Sequence, residues 1–325
     1  MVLTKFYFAY AFYLRSVNGT DSIIYIVGKT LFILFHGMKS NNNMEYKFKK
    51  FEELDIIDDY MMNLVASDPV VGQDFSRTLA EALLQRKLGK IRVNVQRVIP
   101  GNPQKKRGIR MDVEVLEYDD MESVPINIYD LELNKRTDID IIKHNRYYQA
   151  KIDADNLKSG EKDFIRLPNL FVIMVTNYDP FGYNQMLYTV HNKCDEVSEL
   201  KYEDGLYFLY FNTTGTKGGN EALRKALAYI EESKEDNVTD DVTKHLHECV
   251  SVVKELPETR VAYMMLEEKI FYERRDAKEE GREEKKFSMV NNMLRAKEPI
   301  DKICLYAECD KAYVENVKKE IKTSV

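Results

Sequence analysis

Two short runs carry the residue types from which a phosphodiester-hydrolysing centre is built: Arg110-Met111-Asp112-Val113-Glu114-Val115 and Tyr129-Asp130-Leu131-Glu132-Leu133-Asn134. In each, residues alternate as they do on a strand whose successive side chains face opposite sides. The acidic turn Asp119-Asp120 lies between them, so the runs are expected to pair as a hairpin. Glu132 and Asn134 share a parity and must then face the same way. A register that sets Asp112 opposite or diagonal to Glu132 brings two carboxylates together. At about 4 Å such a pair repels by roughly 4 kcal/mol at an effective dielectric near 20. A divalent cation relieves that repulsion, and Mg2+ (or Mn2+ in its place) takes hard oxygen ligands of this kind. The ion lowers the pKa of a bound water and offsets charge developing on a phosphoryl group. Asn134 cannot take a proton near neutral pH, so its part would be to orient that water. Asp130 and Glu114 are the inward acids if the register differs, and a solvated strand face is the plain alternative for all of them.

A basic tract precedes the first run. Between Ala82 and Met111 there is no Asp or Glu, whereas Arg86, Lys87, Lys90, Arg92, Arg97, Lys105, Lys106, Arg107 and Arg110 all fall there. Whole-chain charge is only -6 over 325 residues, with the acidic excess largely in the last third. Segregation of this kind focuses positive potential on one face of a mildly acidic protein. With five to seven phosphate contacts, log affinity would fall with log salt at a slope of roughly -5 to -6.

The elements that must position these residues read as an α/β fold with a mixed sheet. A helical pattern over 51–87 is interrupted at Asp68-Pro69, with Asp58 or Asp59 as N-cap and Phe75, Leu79, Ala82 and Leu83 as the second apolar stripe. Residues 91–95 alternate as a strand, and Pro100-Gly101-Asn102-Pro103 is a turn. After the hairpin, Thr137 or Asp138 caps a helix running to about Lys158, with Gly160 just beyond. Strands are expected at 171–175, 186–190 and 206–211, and a helix at 222–230. From about 233 the composition becomes that of a charged helical tail.

Three domains follow: an atypical apolar extension at 1–43, a catalytic-type domain at 44–232, and a helical region at 233–325. In the extension, the runs Phe6–Tyr13 and Ile23–Phe35 are interrupted by Arg15, Asp21 and Lys29, and neither reaches the ~20 apolar residues of a membrane span. It reads as a non-native or disordered extension, with Met38 or Met44 as the alternative start, a membrane anchor as the less favoured reading, and no stable membrane partner expected. Cys194, Cys249, Cys304 and Cys309 form neither a CxxC pair nor a zinc pattern. Idle thiols in a reducing, cytoplasmic setting are the expectation.

Taken in order, several motifs resemble those of the PD-(D/E)XK nuclease family transposases, also called recombination-promoting nucleases. Asp58-Asp59-Tyr60-Met61-Met62 is similar to that family's opening segment, and Arg107-Gly108-Ile109-Arg110-Met111-Asp112-Val113 to its "R-G-V-R-L-D-V" strand. Tyr129–Asn134 takes the place of its "Y-N-I-E-M-Q" strand. Arg146-Tyr147-Tyr148-Gln149, Asp179-Pro180-Phe181-Gly182, Tyr188-Thr189 and Glu280-Gly281-Arg282-Glu283-Glu284 continue the likeness, which spans about 51–286.

The resemblance implies a restriction-endonuclease-like core and Mg2+-dependent DNA endonuclease activity linked to DNA mobilisation or recombination. It implies Asp112 and Glu132 as metal ligands, and Asp59 and Asn134 as further catalytic parts. For Asp59 a plain helix cap is the alternative. Asn134 stands where the family has Gln and classical members have Lys, which removes a positive charge from the site. Lys105, Lys106, Arg107, Arg110, Arg146 and Gln149 are the expected DNA contacts, with bracing of the acids or plain packing as the alternative for Arg146 and Gln149.

Two other functional readings stand beside hydrolysis: a degenerate nuclease fold that binds DNA without cutting, and a protein-interaction module using the helical tail. A homodimer through that tail is also expected. Isolated His144 and His191 read as packing or surface residues, and Tyr147-Tyr148 as core. Gly215-Thr216-Lys217-Gly218-Gly219 lacks phosphate-loop spacing and reads as a strand-to-helix turn.

Overall fold

The computed structural model describes residues 48–101, 107–119, 124–137, 139–157 and 164–323. The extension at 1–43, Lys105, Lys106, Asp138 and Gly160 therefore lie outside the described residues. The chain divides into two compact units, one up to Tyr263 and one from Met264.

The first unit opens with α1 (Asp59–Ala66) and α2 (Gly72–Leu84). The break between them has the cause read from sequence. Asp68 precedes Pro69, and its Oδ1 accepts the N–H groups of Val70 (2.8 Å) and Val71 (3.0 Å). Gly72 lies so close to the end of α1 that an added Cβ would sit 2.3 Å from the Ala66 carbonyl oxygen. Phe75, Leu79, Ala82 and Leu83 are buried as the stripe requires. The helix stops at Leu84, short of Lys87, because Gln85 turns left-handed at φ 53°.

The sheet has six strands: β1 (Lys90–Val95), β4 (Val113–Tyr118), β5 (Pro125–Asn134), β6 (Asn169–Thr176), β8 (Leu206–Asn212) and β7 (Leu187–Val190), in that spatial order. β1, β4 and β5 form an antiparallel meander; β6 and β8 add in parallel, and β7 closes the edge antiparallel. A two-stranded ladder, β2 (Val98–Ile99) with β3 (Ile109–Arg110), interrupts the chain between β1 and β4. The β5-to-β6 crossover is α3 (Ile141–Asn156), capped by Asp140, whose Oδ1 accepts the Lys143 N–H at 3.0 Å. The cap therefore falls three residues beyond Thr137.

β6 is flanked by parallel neighbours, and Leu170, Val172, Ile173, Met174 and Val175 are all buried, as an apolar run covered on both faces should be. One face of the sheet packs Ile128, Leu170 and Val172 with Ile152 of α3. Tyr148 joins this cluster, but Tyr147 does not. Successive helical residues point about 100° apart, and Tyr147 falls on the exposed side.

α4 (Glu221–Glu231) and α5 (Asp241–Glu255) complete the first unit, each with a side-chain cap, Asn220 and Asp240. The Gly218-Gly219 turn before α4 has φ +66° and +68°, conformations that suit glycine. Composition changes at 232/233, but packing continues past it: the Lys254 ammonium donates to the carbonyls of Glu52 and Leu54, and Tyr263 Oη to that of Lys49 at 2.9 Å.

The second unit holds most of α6 (Pro257–Arg295), then α7 (Ile300–Tyr306) and α8 (Lys311–Thr323). Val290, Ile303, Ala307, Val314 and Val317 form its core. Among the described residues no helix is long and apolar enough to cross a membrane.

Candidate functional site

β5 is anomalous for a strand buried on both faces. From Ile128 to Asn134 every residue is buried, yet the run includes Asp130, Glu132 and Asn134. The hairpin register pairs Val113 with Leu131 and Glu114 with Asp130. Continued by one residue it sets Asp112 against Glu132, and the Asp112 N–H donates to Glu132 Oε1 at 3.0 Å. The strand pairing thus gathers Asp112, Glu114, Asp130 and Glu132 on the α3-covered side, beneath the meander.

Each of these acids is engaged, or sealed, in a way that shapes its electrostatics. Asp112 Oδ1 accepts from Gln96 Nε2 at 3.2 Å. Burial raises the Asp112 carboxyl, while the Arg110 charge and the Gln96 bond oppose that rise. Glu132 is pushed well above the carboxylate range by burial, then by repulsion from Asp112 and Asp130. Glu114 accepts from Asn94 Nδ2 at 2.7 Å and from the Arg97 guanidinium. Asp130 is 0% exposed, and neither carboxyl oxygen has a hydrogen-bond partner. Burial, followed by Asp112 and Glu114, drives its pKa far upward. A buried carboxylate without partners carries a desolvation cost that the neutral acid avoids.

Asp59 opens α1 and keeps exposed surface at the mouth of this recess. Its carboxyl is raised by the dense surroundings, then by Asp112 and Asp58, with water screening it more than the acids below. Asp58 occupies the N-cap position but makes no cap bond. Its oxygens take the Lys49 and Lys135 ammonium groups and the Asp55 N–H.

Among the described residues, no group of three or more His, Cys, Asp or Glu side chains is arranged to hold a metal ion. The partner assignments give a physical reason. Glu132 turns an oxygen to a backbone N–H, Asp112 to Gln96, and Glu114 to Asn94 and Arg97, while Asp130 is sealed. The expected Mg2+ (or Mn2+) centre on Asp112 and Glu132 is corrected on this ground. The expected metal-dependent endonuclease activity falls with it. Asn134 is also committed elsewhere: its Nδ2 donates to Tyr178 Oη at 3.0 Å and its Oδ1 accepts the Arg136 N–H at 2.8 Å. It ties the end of β5 to the following loop.

Part of the basic tract is paired with acids within the fold. Arg86 pairs with Glu117 (2.8 Å), Lys87 with Glu81 (2.7 Å), and Arg97 with Glu114 and Asp155. Arg110 is 9% exposed and lies in the field of Asp112 and Glu132, where burial lowers its pKa against their attraction. It serves the acids from within. Gln149 donates to Asp153 along its own helix. Arg107 and Arg146 are exposed. The Tyr147 hydroxyl donates to the Arg107 carbonyl, fixing the loop before β3 onto α3.

Helical spacing places Lys143, Arg146, Tyr147 and Lys151 on one outer face of α3, with the Lys151 ammonium 5.7 Å from the Tyr147 ring centre. Sequence reasoning missed Gln96, whose φ of 56° marks the bend between β1 and β2, and for Tyr147 it favoured the core over an outward, base-stacking place.

Comparison with protein-family models, with curated proteins and with solved structures found no match. The transposase-family and recombination terms therefore have no support beyond the motif resemblance itself. The chain stands as an α/β protein with a mixed sheet, flanking helices and a helical tail.

Proposed function

We propose that this chain binds DNA without cutting it, on a core of the restriction-endonuclease-like kind. The element order supports the fold assignment: helices, an antiparallel meander, a covering helix, then a parallel strand. The recess under the meander holds acids whose oxygens are bonded within the fold or, at Asp130, sealed from water, which supports reading it as a structural interior.

The observation that carries the binding reading is the outer face of α3. Lys143 and Arg146, one turn apart, share that face with Lys151, which lies one turn beyond the exposed Tyr147, and Arg107 sits beside them. Cations spaced along one exposed helix face suit the phosphates of a polyanion, and an interleaved aromatic adds a stacking surface. Lys143 pairs with Asp140 at 2.9 Å, but an exposed pair of this kind is weak and yields to a phosphate.

The experiment is fluorescence anisotropy of a labelled duplex and a labelled single strand, in excess chelator. The wild-type chain is expected to bind at least one of them, and Arg146→Ala with Lys143→Ala to bind about tenfold or more weakly. Equal binding by both chains, or none by the wild type, would remove the proposal.

A further inference from the structure

We infer that α6 associates with α6 of a second copy, antiparallel, across Phe271 and Tyr272. The inference is independent of the DNA reading. It starts from a helix that is apolar on two opposite sides. Leu266 and Ile270 are buried, while Met264 (59% exposed), Met265 (39%), Phe271 (61%) and Tyr272 (45%) project from the other side. At 100° per residue these four fall on one stripe, and Glu268 and Arg275 lie along its centre line. Beyond Arg275 the helix is charged through to Lys286, so the apolar stripe is bounded. A helix with two apolar faces needs cover on both.

Charge complementarity selects the occupant and its direction. A two-fold axis between Phe271 and Tyr272 sets Glu268 of one copy against Arg275 of the partner subunit, and the reverse pair forms by symmetry. The same axis lays Met265 along the stem of the partner subunit's Lys278. Parallel, in-register pairing would instead face Glu268 with Glu268 and Arg275 with Arg275, which is repulsive. Phe271 and Tyr272, already edge-to-face at 5.7 Å, form the apolar centre of the contact. The stripe is about 20 Å long, so the interface is small and belongs with weak, concentration-dependent associations.

The test uses the full chain in sedimentation equilibrium. Wild type is expected to be a concentration-dependent dimer, and Phe271→Ala with Tyr272→Ala a monomer of unchanged helix content. Glu268→Arg alone and Arg275→Glu alone are each expected to be monomeric. An equimolar mixture of those two variants should restore the dimer, because both cross-pairs then join opposite charges. A wild-type monomer throughout would overturn the inference and assign the stripe to another partner. A dimer insensitive to Phe271 and Tyr272, or single variants that fail to associate on mixing, would overturn it as well.

Discussion

Replacing Asp130 with Asn should stabilise the protein at neutral pH. In the folded chain this side chain is fully buried, and neither oxygen has a partner. Burial first, then Asp112 and Glu114, hold its pKa well above the usual value. In the unfolded chain it ionises near pH 3.9. The folded state therefore keeps a proton that the unfolded state gives up. Stability is lost as pH rises from about 4 toward the raised folded value, the reverse of a salt-bridged carboxylate. Each pH unit in that window costs about 1.36 kcal/mol, so the deficit reaches at most about 4 kcal/mol by pH 7. Asn is nearly isosteric, cannot ionise, and places a polar group in the same unpartnered position. Urea unfolding at pH 4, 5.5 and 7 reads the comparison. The two chains should be close at pH 4, with the variant ahead by up to a few kcal/mol at pH 7 and the m-value unchanged. A variant less stable by one margin at all three pH values would show that Asp130 is ionised and satisfied, refuting the reasoning.

Glu117 behaves oppositely. Burial works against its charge, but bonds from Arg86, Tyr129, the Gly89 N–H and Asn127 pull its carboxyl down to about 2. Its contribution, reduced by solvent screening to on the order of 1–2 kcal/mol, is present above pH ~4.5 and lost as pH falls through about 2; Glu117→Gln should cost about that much at pH 7, read by urea midpoint. Gly72→Ala should destabilise by on the order of 2 kcal/mol, because its Cβ would meet the Ala66 backbone oxygen at 2.3 Å. Thermal unfolding checks this, and an unchanged midpoint would mean α1 and α2 separate freely. Arg146→Ala should reduce the salt slope of DNA binding by about one.

The hairpin was legible because side chains alternate, but Asp112 with Glu132 and Glu114 with Asp130 were read as alternatives, whereas the register puts all four on one side of the sheet. What alternation cannot tell is where each oxygen points. Asn94 arrives from β1 and Gln96 from the bend that follows it, both outside the hairpin, and they take lone pairs that a cation would need. The basic tract misled for a related reason. Arg86, Lys87 and Arg97 find their acids at positions 117, 81, 114 and 155, so a local absence of Asp and Glu gave no sign of neutralisation in three dimensions. Helices α7 and α8 carried the signals Pro299, Ile300, Ile303, Val314 and Val317, but these are short segments hidden in a charged tail.

The salt dependence of DNA binding tests the central claim most directly. Arg107, Lys143, Arg146 and Lys151 offer about four phosphate contacts, so log affinity against log salt should fall with a slope of roughly -3 to -4 in excess chelator, with the DNA recovered intact. A slope near zero, or no measurable binding at low salt, would contradict the account.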